Sequence, residues 1–391
     1  MASELGVYNP IFYAQEALVQ LENALGLANT VHMGFDAERK SAEAGDIVSI
    51  RRPGTFEVNS APATAEDVKT ETVNMTLDQW KEVKFKLTDK DLAISEDRII
   101  QDHIRPAAYA LANNIDAALV TTASTGMAVT AGSVSGDFGV VEVVNVHEAM
   151  FDAQVPMDDT DNLFFMVNGT LQADILKDSA FTQHAGSGDL GVSSQVRGAM
   201  GQRFGFNFFA NQNAGSTHTI SSAITGDYDV DSASPAVKGD TSIRLDGTST
   251  PGGTIQKGDI MSLATSGVAG QGYVVTADVT GAADCTVSFE PPLKADSVAA
   301  EVVTFSQAPT GKKIHFAHHR NALALAMAPL PMALPNSLGA RVASVADPRT
   351  GLSIRSRMYY VGNSSEVHVA LDVLYATRVL DPRLMCRISE V

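Results

Sequence analysis

The chain has 391 residues, 45% of them hydrophobic, 19% charged and 6% aromatic, and a formal net charge of −17. The length allows two or three compact units, and the composition is that of a folded globular chain, not a disordered one. A surface that grips nucleic acid needs clustered Lys and Arg, so the acidic balance argues against that class and favours a protein that stays soluble when concentrated. The start, MASELGVYNPIFYAQEA, has no basic segment followed by an apolar run, so no secretory signal is expected. The most apolar stretch, Asn321–Pro335, is broken by Pro329, Pro331 and Pro335, and is too short to span a bilayer. Cys285 and Cys386 are far apart with no CxxC, the pattern of reduced thiols in a cytoplasmic setting.

In chain order, the first amphipathic segment is Asn9–Thr30, with Ile11, Phe12, Ala17, Leu18, Leu21, Ala24 and Leu25. No helix adjoins it in sequence, so this arm is expected to dock on its own body or on a neighbouring subunit. Asp46–Arg52 is a strand, stopped by Pro53 and Gly54. After the polar stretch Asn59–Thr70, Val73, Met75 and Leu77 alternate with polar residues. Beyond Asp78-Gln79, Val83, Phe85 and Leu87 alternate with Glu82, Lys84 and Lys86. The two runs are predicted to pair as one β-hairpin, either projecting as an arm or lying on the main sheet.

Ser95–Thr125 is the longest helical pattern. Ile100, Ile104, Ala108, Leu111, Ile115 and Leu119 share one side, and Asp102, Arg105, Asn113 and Asp116 fall on a wet side. Ser95 suits the N-cap, with Glu96 and Asp97 at the positive end of the dipole. A single rod from Asp97 to Thr122 spans roughly 39 Å at ~1.5 Å per residue. Pro106 has no N–H for the Asp102 carbonyl and crowds it, which predicts a kink near Asp102 or two stacked helices. Taken alone, such a helix reads first as an ordinary long core helix of an α/β enzyme.

A Gly/Ser-rich connection, Thr125–Phe138, leads to a helix at Val140–Gln154, a short strand at Leu163–Val167 and a helix at Leu171–Lys177 capped by Asn168 or Thr170. Asp178–Gln195 is a glycine-containing loop region and Asn207–Asn211 a strand. From Ala214 to about Gln307 the helical signal gives way to six short β-like runs: Thr217–Ile224, Thr241–Asp246, Asp259–Thr265, Gly272–Val279, Cys285–Glu290 and Glu301–Ser306. Turn dipeptides such as Gly226-Asp227, Asp246-Gly247 and Gly258-Asp259 punctuate them. This block is predicted to be an inserted small barrel. Alternation then resumes, with a strand at Ile314, a short helix at Arg320–Met327, and strands at Leu352–Tyr360, Glu366–Val379 and Leu384–Ile388.

Motifs of catalysis are sparse. The sequence has no GxGxxG after a strand, no GxxxxGK[ST] and no GxSxG. His315, His318 and His319 alone have metal-ligand flavour. His315 and His319 are four apart, but no Glu follows His315 and the segment reads as a strand entering a helix, so structural or interface histidines are expected. Asp158, Asp159 and Asp161 lack the Gly and distant Glu of an EF-hand loop, and Asp227, Asp229 and Asp231 read as a polar turn. Arg51-Arg52 is an adjacent basic pair suited to a surface or intersubunit role. No cofactor and no metal site is expected.

The order of these elements resembles the major capsid protein of tailed bacteriophages, the Hong Kong 97 fold. VRGAMGQRFGFNFFANQN (Val196–Asn213) is similar to the family stretch in which a glycine-rich turn and Gly-Phe lead into an apical strand. FAHHRNALALAMAPLP (Phe316–Pro331) resembles the segment in which an aromatic and His precede an Ala/Leu run. DPRTGLSIRSRMYY (Asp347–Tyr360) and DVLYATRVLDP (Asp372–Pro382) resemble the closing strands. The block after Ala214 sits where the coat proteins of short-tailed Salmonella phages carry an inserted barrel, and GDIVSIRRPGTFEV and ALANNIDAALV also look like that branch.

The resemblance implies an α+β capsid fold divided into an N-terminal arm (1–44), an extended β-hairpin loop with its strands (45–92), a peripheral domain with the spine helix (93–139 and 341–391), an axial domain (140–213 and 308–340) and an inserted β-barrel (214–307). It implies a non-enzymatic subunit that assembles with itself, as hexamers and pentamers, into an icosahedral head. That head would enclose double-stranded DNA without sequence-specific binding, and would include a portal protein. Too little sequence precedes the arm for a fused scaffolding domain, so a separate scaffolding protein is implied. The expected location is the virion, after assembly in the host cytoplasm, with no membrane partner. Candidate intersubunit contacts are Phe12, Leu18, Arg51, Arg52, Trp80, Lys84 and Lys86, and Pro106 is the candidate kink of the spine helix. The alternatives are a metal-dependent hydrolase using His315, His318 and His319, or another β-rich virion part such as a tail or decoration protein.

Overall fold

The computed structural model describes residues 10–33, 47–52, 61, 71–88, 103–134, 136–182, 200–213, 227–247, 254–267, 272–280, 284–306, 314–332, 340–347 and 351–390. The chain is α+β and divides into two compact units, Met1–Ala118 with Ala324–Leu380, and Leu119–Leu323 with Asp381–Val391.

The first unit opens with α1 (Pro10–Ala24), followed by β1 (Ile47–Arg52), β2 (Glu71–Thr76) and β3 (Gln79–Thr88). Helix α2 (Arg105–Ser124) begins in this unit. The other strands here are β17 (Leu323–Ala328), β18 (Arg341–Ala346), β19 (Ser353–Val361) and β20 (Glu366–Val379). They form a five-stranded sheet in the order β17-β20-β19-β18, with β3 also paired to β20. The fourteen residues of β20, EVHVALDVLYATRV, are rich in β-branched and aromatic types and long enough to serve several neighbours. Helix α1 packs on β18 and β19, burying Tyr13, Ala14, Ala17, Leu18 and Leu21. The arm therefore docks on its own unit.

The expected hairpin is not formed. Strand β2 pairs antiparallel with β1, Val48 opposite Met75 and Ile50 opposite Val73. Strand β3 pairs instead with β20, from Thr88 opposite Glu366 to Gln79 opposite Tyr375. Only Leu77-Asp78 separates β2 from β3; Leu77 does not favour the positive φ of a two-residue hairpin turn, and no Gly follows Asp78. The chain thus steps from a separate two-stranded ribbon, β1-β2, onto the main sheet.

Helix α2 differs from expectation on its polar side. Asp116 is 4% exposed. Its carboxylate accepts the backbone N–H groups of Gly26, Leu27 and Ala28 at 2.9, 3.3 and 3.1 Å, capping the 3-10 turn Leu27–Thr30. Asn114 accepts from the Tyr375 hydroxyl at 2.8 Å. Pro106 is in the first turn of α2, where its missing N–H leaves no carbonyl of that helix unserved. Asp102 lies outside the described residues, and His103-Ile104, directly before α2, form a π-helical turn.

The second unit contains β4 (Val129–Val134), α3 (Val140–Asp152), β5 (Leu163–Val167), α4 (Gly169–Lys177), α5 (Ser179–Thr182), β6 (Gln202–Arg203) and β7 (Phe206–Ala210). The last strands of its sheet are β16 (Ile314–His319) and β21 (Met385–Glu390). The six-stranded order is β4-β21-β16-β5-β7-β6. Val143, Val146 and Met150 of α3 pack with Phe165, Phe206 and Phe208 of the sheet and Leu171 and Ile175 of α4 in one apolar core. Asn168 caps α4 by accepting from Leu171 N at 2.9 Å.

Between β7 and β16 the chain forms β8 (Tyr228–Val230), β9 (Ser242–Gly247), β10 (Thr254–Ile255), β11 (Ile260–Leu263), β12 (Tyr273–Val275), β13 (Val279–Thr280), β14 (Asp284–Glu290) and β15 (Val302–Ser306). Six of these close into a barrel, β11-β12-β14-β9-β8-β15. Tyr228, Val230, Ile243, Leu245, Met261, Val275, Val287 and Phe289 fill it. Residues 228–230 are not a turn: Tyr228 and Val230 are buried in the barrel on either side of the half-buried Asp229, and β8 pairs with β9 and β15. The run Thr217–Ile224 lies outside the described residues. The predicted helix at Arg320–Met327 is also corrected. Only Arg320–Ala322 turns, and β17 follows with all six residues buried. Leu and Ala favour helix in isolation, but pairing to β20 inside the sheet overrides that weak preference.

Candidate functional site

The histidines form no centre. Along β16, His315 and His319 share one face and His318 takes the other. Four strand residues separate the first two by ~13 Å, too far to share one ion. The helical spacing that would bring them together belongs to a helix this segment does not adopt. All three are buried. His318 stacks on Phe164 with ring centroids 5.6 Å apart. His319 accepts from Asn321 N at 3.2 Å through Nδ1, and its Nε2 lies 3.3 Å from Asp159. Hydrogen bonds from Asn162 and then His319 hold the Asp159 carboxyl below its ordinary range. Among the described residues no three His, Cys, Asp or Glu side chains converge as metal ligands, and no helix there is long and apolar enough to cross a membrane.

What the first unit presents is a built surface. Trp80, Glu82, Lys84 and Lys86 alternate along one face of β3. Opposite them on β20 stand Leu374, Asp372, Ala370 and His368. Trp80 is 57% exposed, yet its indole N–H donates to Asp372 Oδ2 at 3.2 Å. Asp372 is fully buried and takes a two-pronged contact from Arg355, with Nε to Oδ1 at 3.0 Å and Nη2 to Oδ2. Arg355 also donates to the Pro331 carbonyl at 2.9 Å. Arg357 bridges Glu82 at 2.7 Å and Asp372 at 3.4 Å. Lys84 lies over the Tyr359 ring, 5.1 Å from its centroid, and Lys86 meets Glu366 at 2.7 Å. Hydrogen bonds from Lys86 and His368 lower the Glu366 pKa. Trp80, Arg355 and Arg357 thus converge on one buried aspartate, and the indole stands exposed on that face.

The other sequence candidates fall as follows. Phe12 is 49% exposed on α1, beside Ile11 and Val19. Leu18 is buried within its own unit and leaves the candidate surface. Arg51 and Arg52 end β1, paired with Thr72 and Glu71. Trp80, Lys84 and Lys86 share one face, and Arg51 and Arg52 belong to a different sheet.

Sequence reasoning missed a second apolar feature, on α3. Val141, Val144 and Phe151 remain exposed while Val143, Val146 and Met150 form the core side. The signal was available: two interleaved apolar rows on one helix exceed what a single core face needs.

No protein-family profile and no curated protein matches the chain. Among solved structures, it is similar to one described as Mycobacterium phage Che8, with 13% identity over 93% of this chain and 90% of that one and a TM-score of 0.49. It is similar to the mature capsid of bacteriophage PhiM1, with 12% identity over 89% of this chain and 83% of that one and a TM-score of 0.47. It is also similar to the capsid of Ralstonia phage GP4, with 10% identity over 92% and 86% and a TM-score of 0.45.

Proposed function

We propose that this chain is the major capsid protein of a tailed-phage head, a subunit that assembles with copies of itself into a closed shell around double-stranded DNA. The observation that carries the reading is the β1-β2 ribbon. Its base buries Val48 and Met75 against Ala324, Ala326 and Ala376. Among the described residues neither strand pairs with a third, so each has an outer edge with no ladder partner among them. A two-stranded ribbon is marginal alone, and open edges invite another chain. A neighbouring copy that covers the ribbon resolves both problems. Symmetric repetition then turns many modest contacts into a durable shell.

The sequence resemblance supports the same reading, with 1–44 as arm, 45–92 as extended loop, and the peripheral, axial and inserted domains as assigned from it. Under this reading the subunits form hexamers and pentamers, a separate scaffolding protein guides assembly, and a portal occupies one vertex. The acidic chain encloses DNA without gripping it, since a strongly basic wall would hold phosphates. Phe12, Trp80 and the α3 stripe are the exposed features available to neighbours. Sedimentation velocity on the purified chain, with and without scaffolding protein, tests the proposal: fast-sedimenting closed particles are expected, and a persistent small oligomer under every condition refutes it.

A further inference from the structure

The barrel of the second unit is joined to its sheet at a buried polar seam. Arg387, on β21, is 2% exposed. Its Nη1 donates to the Gly258 carbonyl at 3.3 Å and its Nη2 to the Ser306 carbonyl at 3.2 Å. Gly258 precedes β11 and Ser306 ends β15, adjacent strands in which Ile260 stands opposite Ser306. The fully buried carboxylate of Asp259 lies close enough to act on the Arg387 charge. Beside this contact, Gly272 N donates to the Ala128 carbonyl at 3.1 Å. A Cβ on Gly272 would stand 2.2 Å from Ile260 Cγ2 and 2.6 Å from the Ala128 oxygen, so barrel and sheet meet there backbone to backbone.

Enclosing a guanidinium costs several kcal/mol unless its N–H groups find acceptors. Here the sheet supplies the cation and the barrel supplies two carbonyl acceptors. Those acceptors meet the guanidinium in one barrel orientation only, because a tilt of the barrel withdraws them while the charge stays buried. We propose that Arg387 is a positioning residue that locks the inserted barrel to the sheet at a fixed angle, making the insertion a keyed joint and not a swinging appendage. The proposal stands independently of the shell reading.

Amide hydrogen exchange on the full chain tests it, because the Gly272 N–H crosses the joint whereas the Phe289 N–H, bonded to Thr241 O at 2.9 Å, reports the barrel interior. In Arg387→Met the Gly272 amide is expected to exchange roughly ten-fold faster, with Phe289 unchanged. In Arg387→Lys, which keeps the charge but fewer donors, it falls between the two. Should Arg387→Met fail to fold, Arg387→Lys is read by the same two amides. Unchanged protection at Gly272, or equal acceleration at Gly272 and Phe289, overturns the proposal: the first means that Arg387 does not hold the joint, the second that it supports the whole unit.

Discussion

Asp116 offers the sharpest test of how the first unit holds its N-terminal segment. Its carboxylate collects three backbone N–H groups, from Gly26, Leu27 and Ala28, at 2.9, 3.3 and 3.1 Å. Hydrogen bonds to a charged acceptor contribute ~1.5 kcal/mol each, so losing all three costs about 4.5 kcal/mol. Asp116→Ala leaves the three donors buried without that acceptor. Asp116→Asn keeps one carbonyl oxygen and turns an amide group toward the remaining donors, at a cost of about half as much. With ~1.4 kcal/mol per decade, exchange at the amides of residues 26–28 is expected to accelerate up to roughly 10³-fold in the alanine variant and ten- to thirty-fold in the asparagine variant. Exchange rates by mass spectrometry under native conditions read this directly. Unchanged protection at residues 26–28 in Asp116→Ala would refute the reasoning, because the segment would then be held by α1 packing alone.

Asp372→Ala strands the buried Arg355 guanidinium and removes the acceptor of the Trp80 indole, so a loss of ~3–5 kcal/mol is expected; the chain has a single Trp, and its fluorescence during urea unfolding reports both effects. In the barrel, Asp246 stands opposite Asp229 and Asp284 on the flanking strands, and burial, then Asp231 and Asp284, raise its pKa. A raised carboxyl pKa contributes stability below the ordinary value of 3.8 and loses it as pH rises through the raised value. Asp246→Asn is therefore expected to raise the melting temperature at pH 7, with the gain vanishing under acid; equal gains at both pH values would contradict the assignment. Gly272→Ala is expected to lower the melting temperature, because the added Cβ meets Ile260 Cγ2 and the Ala128 carbonyl, and an unchanged melt would show that the seam yields.

Elements with an uninterrupted local pattern were legible in the sequence. Leu163–Val167 and Glu366–Val379 are strands as read, and Asn168 caps the helix it was expected to cap. The closed barrel appears where turn dipeptides and short β-runs replaced the helical period. The failures share one cause, namely tertiary partners that local pattern does not carry. Strand β3 has the alternation of a hairpin arm, but its partner lies nearly three hundred residues away on β20, as the Trp80–Asp372 hydrogen bond illustrates. The Ala/Leu run of β17 has helical propensity and strand geometry because a long strand receives it. Asp116 sits in the row Ala108, Ala112, Asp116, Val120, four apart and all buried, and that row was the available sign that the carboxylate faces inward. Tyr228 and Val230 alternate with Asp227, Asp229 and Asp231, a period of two hidden by its acidity. Of the candidate surface, Trp80, Lys84 and Lys86 were legible as one alternating face, whereas Asp372 and Arg355, which hold that face, were not, because their pairing is settled only by strand register.

If this chain is a shell subunit, its ribbon edges and exposed apolar features are covered by its own copies. Electron cryo-microscopy of the assembled chain, at a resolution that separates strands, shows what lies against them. Closed shells in which each β1-β2 ribbon lies against a neighbouring copy are expected. Discrete small oligomers, or shells in which the ribbon contacts only its own chain, would contradict it.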